Sequence, residues 1–217
     1  MRSSRRVSSV KTILCYGDSN TWGFDPTGVG ARFPRDVRWP NRLAAALGAG
    51  FEVIAEGLNG RTATLDSPVA DGRNGLTYLL PCLHSHMPID LVVIYLGTND
   101  LGDRYSLPAP DVAGAVARLV RVVRTSESGP DGGAPQVLVI CPPPFARLDP
   151  EGSFANSSEK SRKVGRHFAE MTELMGCALL DLDGVASYSD LDGIHLEADG
   201  HAAVAEAVEP IVRRLLA

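Results

Sequence analysis

Short apolar segments alternate with longer helical patterns along the whole chain, and this alternation constrains the fold more than any other feature. The apolar segments are almost continuously hydrophobic, as strands are in a parallel sheet that is covered on both faces. The predicted strands are residues 12–16, 51–55, 90–96, 136–141 and 177–182. The predicted helices are residues 39–48, 75–86, 111–125, 157–175 and 197–216. Repeated β-α units with right-handed crossovers predict a doubly wound α/β fold. We expect Asp111 to cap the third helix and Pro210 to bend or shorten the last.

Length, charge and cysteine positions indicate how many domains the chain forms, which partners it lacks and in which compartment it works. A chain of 217 residues suits one α/β domain, which we assign to residues 11–217 after a basic, disordered tail at residues 1–10. The net charge of −5 argues against nucleic acid or an anionic membrane as a partner, and no apolar run approaches the ~20 residues of a membrane span. The cysteines stand apart among apolar neighbours, which favours buried thiols in a reducing, cytoplasmic compartment; they are Cys15, Cys82, Cys141 and Cys177. We predict no metal or other cofactor, and we expect His84 and His86 to be surface residues.

The segments that follow the predicted strands hold the residue types of an acyl-transfer site. In doubly wound sheets, ligands bind beyond the carboxyl ends of the strands. Nucleophilic catalysis by serine needs a hydroxyl, an imidazole that takes its proton and a carboxylate that orients the imidazole; the candidates are Ser19, His195 and Asp192. Hydrogen-bond donors for the developing oxyanion would be the backbone N–H of Ser19, the backbone N–H of Gly60 and the side-chain amide of Asn99.

Each of these residues also has a purely structural interpretation. Ser19 or Asp18 can cap a short helix, Gly60 can be a turn residue with positive φ, and Asn99 can form a turn after its strand. Asp190 and His201 are the alternative carboxylate and imidazole, although His201 lies in a predicted helix and suits a surface or packing role. The catalytic interpretation is favoured because all the required groups follow strands that end at one edge of the sheet.

In this order, these residues resemble the SGNH, or GDSL-type, hydrolases. The four blocks of the family pattern correspond to Gly17-Asp18-Ser19, Asn59-Gly60, Gly97-Thr98-Asn99-Asp100 and Asp192-Gly193-Ile194-His195. The family is named for a leucine after the serine, whereas this chain has Asn20. The resemblance implies the SGNH hydrolase fold with a flavodoxin-like, five-stranded parallel sheet. The flanking sequences are similar to those of an arylesterase/acyltransferase branch, whose relatives hydrolyse small esters, pass acyl groups to alcohols or peroxide, and tend to form homo-oligomers.

Substrate contacts are harder to predict than the catalytic groups. Trp22, Phe24 and Phe145 follow predicted strands and either wall an apolar substrate pocket or belong to the core. Arg61 either meets an anionic substrate group or forms a structural salt bridge. The loops at residues 23–38, 101–110 and 142–156 are long enough to form a lid or a subunit contact.

The sequence is compatible with three functions. The predicted one is a serine esterase acting on small-molecule aryl or short-chain esters through an acyl-enzyme, with acyl transfer to alcohols or peroxide as an additional reaction. The alternative within enzymes is a carbohydrate (acetyl-xylan-type) deacetylase with the same triad. A non-catalytic metabolite-binding domain is the third, although no GxGxxG or Walker loop follows the first strand. A long-chain lipase is disfavoured because the sequence shows no apolar lid helix.

Overall fold

The five apolar segments form one all-parallel sheet. The structure, a computed structural model, describes residues 10–28 and 31–217, so the predicted tail lies outside the described residues except for Val10. The strands are β1 (Lys11–Gly17), β2 (Phe51–Gly57), β3 (Leu91–Tyr95), β4 (Gln136–Cys141) and β5 (Ala178–Asp181). Their order is β2-β1-β3-β4-β5, the flavodoxin-like arrangement, so the predicted fold is confirmed.

The helices lie between these strands, close to the predicted bounds. They are α1 (Ser19–Trp22), α2 (Trp39–Leu47), α3 (Gly75–His86), α4 (Ala109–Thr125), α5 (Ser158–Met175) and α6 (Ala198–Leu215). Helix α1 is too short to be predicted from periodicity. The prediction that Asp111 caps α4 is wrong, because α4 begins earlier, after Pro108, and Asp111 lies in its first turn. Helix α6 continues through Pro210, so the predicted shortening is also wrong.

The core surrounds the three central strands. Every residue of β3 is buried, and the long helices bury one face each; on α4 that face includes Val112, Val116, Leu119, Val120 and Val123, as the spacing predicts. Three cysteines are buried and Cys177 is partly buried, and all four are free thiols. No helix among the described residues is long and apolar enough to cross a membrane.

The loops that follow β1, β2 and β3 meet at the carboxyl edge of the sheet. The backbone N–H of Leu58 donates to Gly17 O at 3.1 Å, which joins the loop after β2 to the end of β1. Both carboxylate oxygens of Asp100 lie 3.0 Å from Ala63 N, which joins the loop after β3 to the loop after β2. These bonds gather the candidate residues at one place.

Candidate active site

Ser19, His195 and Asp192 form a hydrogen-bonded chain at this edge. Ser19 Oγ lies 2.8 Å from His195 Nε2, and His195 Nδ1 lies 2.7 Å from Asp192 Oδ2. Ser19 is the first residue of α1, directly after β1, whereas the other two lie in the loop before α6. The exposed Asp190 makes no hydrogen bond to His195 in the described structure. Asp192 is therefore the carboxylate that bonds the His195 ring.

The carboxylate of Asp192 is held by its own loop. Its Oδ1 accepts the backbone N–H groups of Ile194 and His195, each at 3.1 Å. Burial alone would raise the pKa of Asp192, but the hydrogen bonds from the His195 ring and the two backbone N–H groups outweigh it and lower the pKa below its ordinary value. Asp192 is therefore ionised at neutral pH and can stabilise an imidazolium.

The three aromatic residues predicted to line a substrate pocket have different surroundings. The ring of Phe24 stacks on the His195 ring, with centroids 4.1 Å apart and planes inclined by 25°. The half-buried Trp22 lies under the guanidinium of Arg32, 4.4 Å from the ring centroid. The prediction that Phe145 lines the substrate pocket is wrong: its ring is buried in the core, with its edge against Phe154.

The turn before Ser19 is fixed by Asp18 and by the absence of a side chain at Gly17. Asp18 Oδ1 accepts the backbone N–H of Asn20 at 2.9 Å, so Asp18 caps α1. Burial raises the pKa of Asp18 to about 6 despite this hydrogen bond. A Cβ at Gly17 would lie 2.1 Å from Thr21 Oγ1 and 2.8 Å from Tyr95 O. Glycine is required here because α1 packs directly over it.

Asn20 joins the serine to the loop of the imidazole. Its Nδ2 donates to Ile194 O at 3.1 Å, and its Oδ1 accepts the N–H of Leu196 at 2.9 Å. The peptide groups on both sides of His195 are thus bonded to the residue that follows Ser19. Sequence reasoning noted Asn20 only as a departure from the family pattern. The position of Asn20 directly after the serine was the only sequence signal for this role. Its hydrogen-bond partners lie 174 and 176 residues away in the sequence, so the sequence does not identify them.

The candidate donors to an oxyanion are two backbone N–H groups and one side-chain amide, which lie in the loops at the carboxyl edge of the sheet. Gly60 has a φ of +73°, a conformation that favours glycine. Within the described chain, the backbone N–H groups of Ser19 and Gly60 have no hydrogen-bond acceptor. Asn99 Nδ2 donates to Arg61 O at 3.0 Å and lies 3.5 Å from Asp18 Oδ2, so the amide bridges the loops after β1 and β2.

Arg61 does not point toward a ligand. Its side chain is buried, and its guanidinium donates to the backbone oxygens of Gly17 and Glu56 and lies 4.3 Å from the centroid of the Tyr16 ring. Both predicted roles of Arg61, contact with an anionic substrate group and a salt bridge, are therefore wrong. Its role is to brace the ends of β1 and β2.

His201 is buried and not at the surface. Its Nδ1 lies 3.4 Å from Trp39 N, and its Nε2 has no partner among the described residues. Burial is the main cause that lowers the pKa of His201 to about 4, with smaller contributions from nearby arginines. It is a neutral packing residue, and His195 is the imidazole that meets the serine.

A set of possible metal ligands lies on α3 and at the end of β2. Glu56, Cys82 and His86 bring one ligand atom each within 4.8 Å of the others, so His86 is not an isolated surface residue. Burial raises the pKa of the Cys82 thiol to about 12, which opposes the thiolate form that binds metals. His86 Nε2 already bonds Glu56 Oε1 at 3.1 Å. We interpret this set as a structural cluster.

Comparison with known proteins places the chain among ester hydrolases. A family model described as GDSL-like lipase/acylhydrolase matches residues 15–203. A carbohydrate acetylesterase family member from Sinorhizobium meliloti is 38% identical, with a TM-score of 0.89 and coverage of 95% of this chain and 99% of that one. The native aryl esterase of M. smegmatis is 39% identical, with a TM-score of 0.89 and coverage of 94% and 99%. A search of curated proteins returned no match.

Proposed function

This chain belongs to the GDSL-like lipase/acylhydrolase family and is an ester hydrolase, and we propose that it cleaves small aryl or short-chain esters through an acyl-enzyme formed on Ser19. The observation that supports this most strongly is the continuous chain from Ser19 Oγ through the His195 ring to Asp192, with separations of 2.8 and 2.7 Å. These are the separations that proton transfer from a nucleophilic serine requires.

The reaction follows from the positions of these groups. His195 Nε2 takes the proton of Ser19 Oγ as the oxygen attacks the ester carbonyl, while Asp192 stabilises the imidazolium. The negative charge that forms on the carbonyl oxygen accepts hydrogen bonds from the N–H of Ser19, the N–H of Gly60 and the amide of Asn99. His195 then protonates the departing alcohol. Water attacks the acyl-enzyme by the same route and releases the acid; an alcohol or peroxide in place of water gives acyl transfer.

Replacement of the nucleophile tests this proposal. Ser19→Ala is expected to lower kcat for p-nitrophenyl acetate by ~10⁶-fold, and Asn99→Ala by about 10²–10³-fold. A fluorophosphonate probe should label the parent at Ser19 and leave Ser19→Ala unlabelled. If Ser19→Ala hydrolysed the ester as fast as the parent, the triad would be wrongly assigned.

Deacetylation of carbohydrates is the second candidate function. It is favoured by the similarity to the carbohydrate acetylesterase family member from Sinorhizobium meliloti. Parallel assays on acetyl-xylan and phenyl acetate separate the two, because a deacetylase prefers the sugar ester at equal acyl length. The resemblance also predicts a homo-oligomer, and gel filtration of the full chain tests that prediction.

A further inference from the structure

A pocket of about 190 Å³ lies beside Gly60 and Asn99, the residues that we place in the oxyanion hole. Its other walls come from the loops after β2, β3 and β4, which contribute Val69, Phe154 and several polar side chains. The predicted loops at residues 101–110 and 142–156 thus take part in lining a cavity at the site. A group bound here would lie next to the ester carbonyl.

The charged side chains that line this pocket are both arginines. Arg73 is partly buried, and its Cδ and Nε come within 3.7 and 3.8 Å of the position that a Cβ on Gly60 would occupy. Its guanidinium forms no ion pair within residues 10–28 and 31–217. Arg73 therefore places an uncompensated positive charge beside the oxyanion hole.

Arg104 contributes the second charge from the loop after β3. Its Nη2 donates to Ser153 Oγ at 2.7 Å, which fixes the direction of the guanidinium and leaves its other N–H groups available. It too forms no ion pair with the described part of the chain. Ser67 and Tyr105 also line the pocket, and their hydroxyl groups are uncharged hydrogen-bonding groups.

The partly buried Arg73 and the exposed Arg104 line one pocket without an ion pair to the described part of the chain, and in a chain with net charge −5 this positive pocket favours an anionic ligand. An acetyl group carries no negative charge for a guanidinium to pair with, whereas the planar fork of arginine matches a carboxylate in bidentate geometry. The neighbouring hydroxyls suit the same group. Such a contact, beside Gly60 and Asn99, would select among esters by the charge they carry.

We propose that this pocket binds a carboxylate carried by the ester substrate itself, an inference that rests on the esterase function proposed above. The carboxylate belongs either to the acyl part, as in a half-ester of a dicarboxylic acid, or to the alcohol part, as in an acylated hydroxy acid. The preferred substrate class is thus an anionic ester, and neutral aryl acetates are poorer substrates.

Matched substrate pairs test the preference in the parent protein. For the acyl side, mono-p-nitrophenyl glutarate is compared with p-nitrophenyl butyrate; for the alcohol side, p-acetoxybenzoate is compared with its neutral methyl ester. We expect kcat/KM of the anionic member of one pair to exceed that of the neutral member by about tenfold at low salt, as for a charge-assisted hydrogen bond. The advantage should shrink as salt is added.

Charge-removing variants assign the preference to the pocket. Arg73→Gln and Arg104→Gln should each lower the anionic-to-neutral ratio of kcat/KM by about fivefold to tenfold. Arg118→Gln, an exposed arginine on α4, is the matched control and should leave the ratio unchanged. Circular dichroism verifies folding, and competitive inhibition of the parent by free glutarate, weakened in both pocket variants, gives a readout independent of turnover.

The outcomes separate this inference from the esterase proposal. If the parent cleaves neutral esters through Ser19 but shows a ratio of one or less in both pairs, the anionic pocket is refuted and the esterase stands. The anionic pocket is likewise refuted if Arg73→Gln and Arg104→Gln show the same anionic-to-neutral ratio of kcat/KM as Arg118→Gln. If the parent cleaves none of the four esters, the esterase proposal itself fails.

Discussion

Replacing Asn20 by leucine tests whether Asn20 positions His195 relative to Ser19. Asn20 is only 1% exposed, so water cannot take over its two hydrogen bonds, to Ile194 O at 3.1 Å and from Leu196 N at 2.9 Å. Leucine has the same number and branching of side-chain heavy atoms and is somewhat larger, so the substitution leaves no cavity. Its main effect is to leave two peptide groups that flank His195 without partners.

The magnitude follows from those two groups. A buried polar group left unpaired costs about 1–3 kcal/mol, and the added apolar burial returns about 1–2 kcal/mol. Two such groups together cost about 2–6 kcal/mol, so we expect the free energy of unfolding to fall by about 2–3 kcal/mol, the difference between the two midpoints. A misplacement of about 1 Å between reacting groups costs up to ~10²-fold in rate, so kcat should fall by about 10–10²-fold. KM should change little, because Asn20 does not line the pocket.

The assay is steady-state hydrolysis of p-nitrophenyl acetate together with urea unfolding of the same preparation. Ser126→Ala is the control: its buried hydroxyl donates to Val123 O at 2.7 Å, in the segment after α4, away from the triad. The hydroxyl and the N–H of the buried Ser128 also bond this hydroxyl, so the variant should lose about 1–3 kcal/mol of stability and keep its kcat. If Asn20→Leu kept kcat within twofold of the parent while losing stability, Asn20 would be structural and the positioning argument would be refuted.

Three further predictions concern residues around the site. Burial lowers the pKa of His201 to about 4 from an ordinary 6.5, so the unfolded chain binds this proton at a higher pH than the folded chain does. The free energy of unfolding should therefore fall by about 3 kcal/mol as the pH is lowered from 6.5 to 4. Urea unfolding should show a smaller loss for His201→Gln over that range, and equal losses would contradict the prediction. Gly17→Ala should lower the free energy of unfolding by about 1–3 kcal/mol through overpacking against Thr21, and an unchanged melting temperature would argue against it. Phe24→Leu removes the ring stacked on His195 and should lower kcat by about 2–10-fold, more than Phe24→Tyr does; equal kcat values for the two variants would exclude a role for the stack.

The sheet and the pairing of Asp192 with His195 could be predicted because their signals are local in the sequence. Continuous apolar segments indicate buried parallel strands, and His195 follows Asp192 by three positions, close enough for one turn to join them. Phe145 could not be placed, because the side of the sheet on which it packs depends on the path of the loop at residues 142–156. Arg61 was misjudged because its acceptors are backbone oxygens, which no sequence pattern displays.

The structure also brings together two arginines that sequence reasoning missed, those of the proposed anionic pocket. Arg73 and Arg104 belong to different loops, and only the folded chain brings them to one pocket. The polar bridge of Asn20 was missed for the same reason, because its partners come from the loop before α6. Long-range placement of single polar side chains is set by loop paths, which hydrophobic periodicity does not specify.

The separation of 176 residues between Ser19 and His195 has a consequence for biosynthesis. During translation Ser19 is synthesised early, whereas His195 is added only after most of the chain has been made. On the proposed mechanism, a nascent or prematurely terminated polypeptide that ends before the loop of His195 lacks the group that activates Ser19, whatever part of the sheet it has built. Ester turnover during refolding therefore reports the docking of the C-terminal segment and should lag behind the recovery of helical circular dichroism.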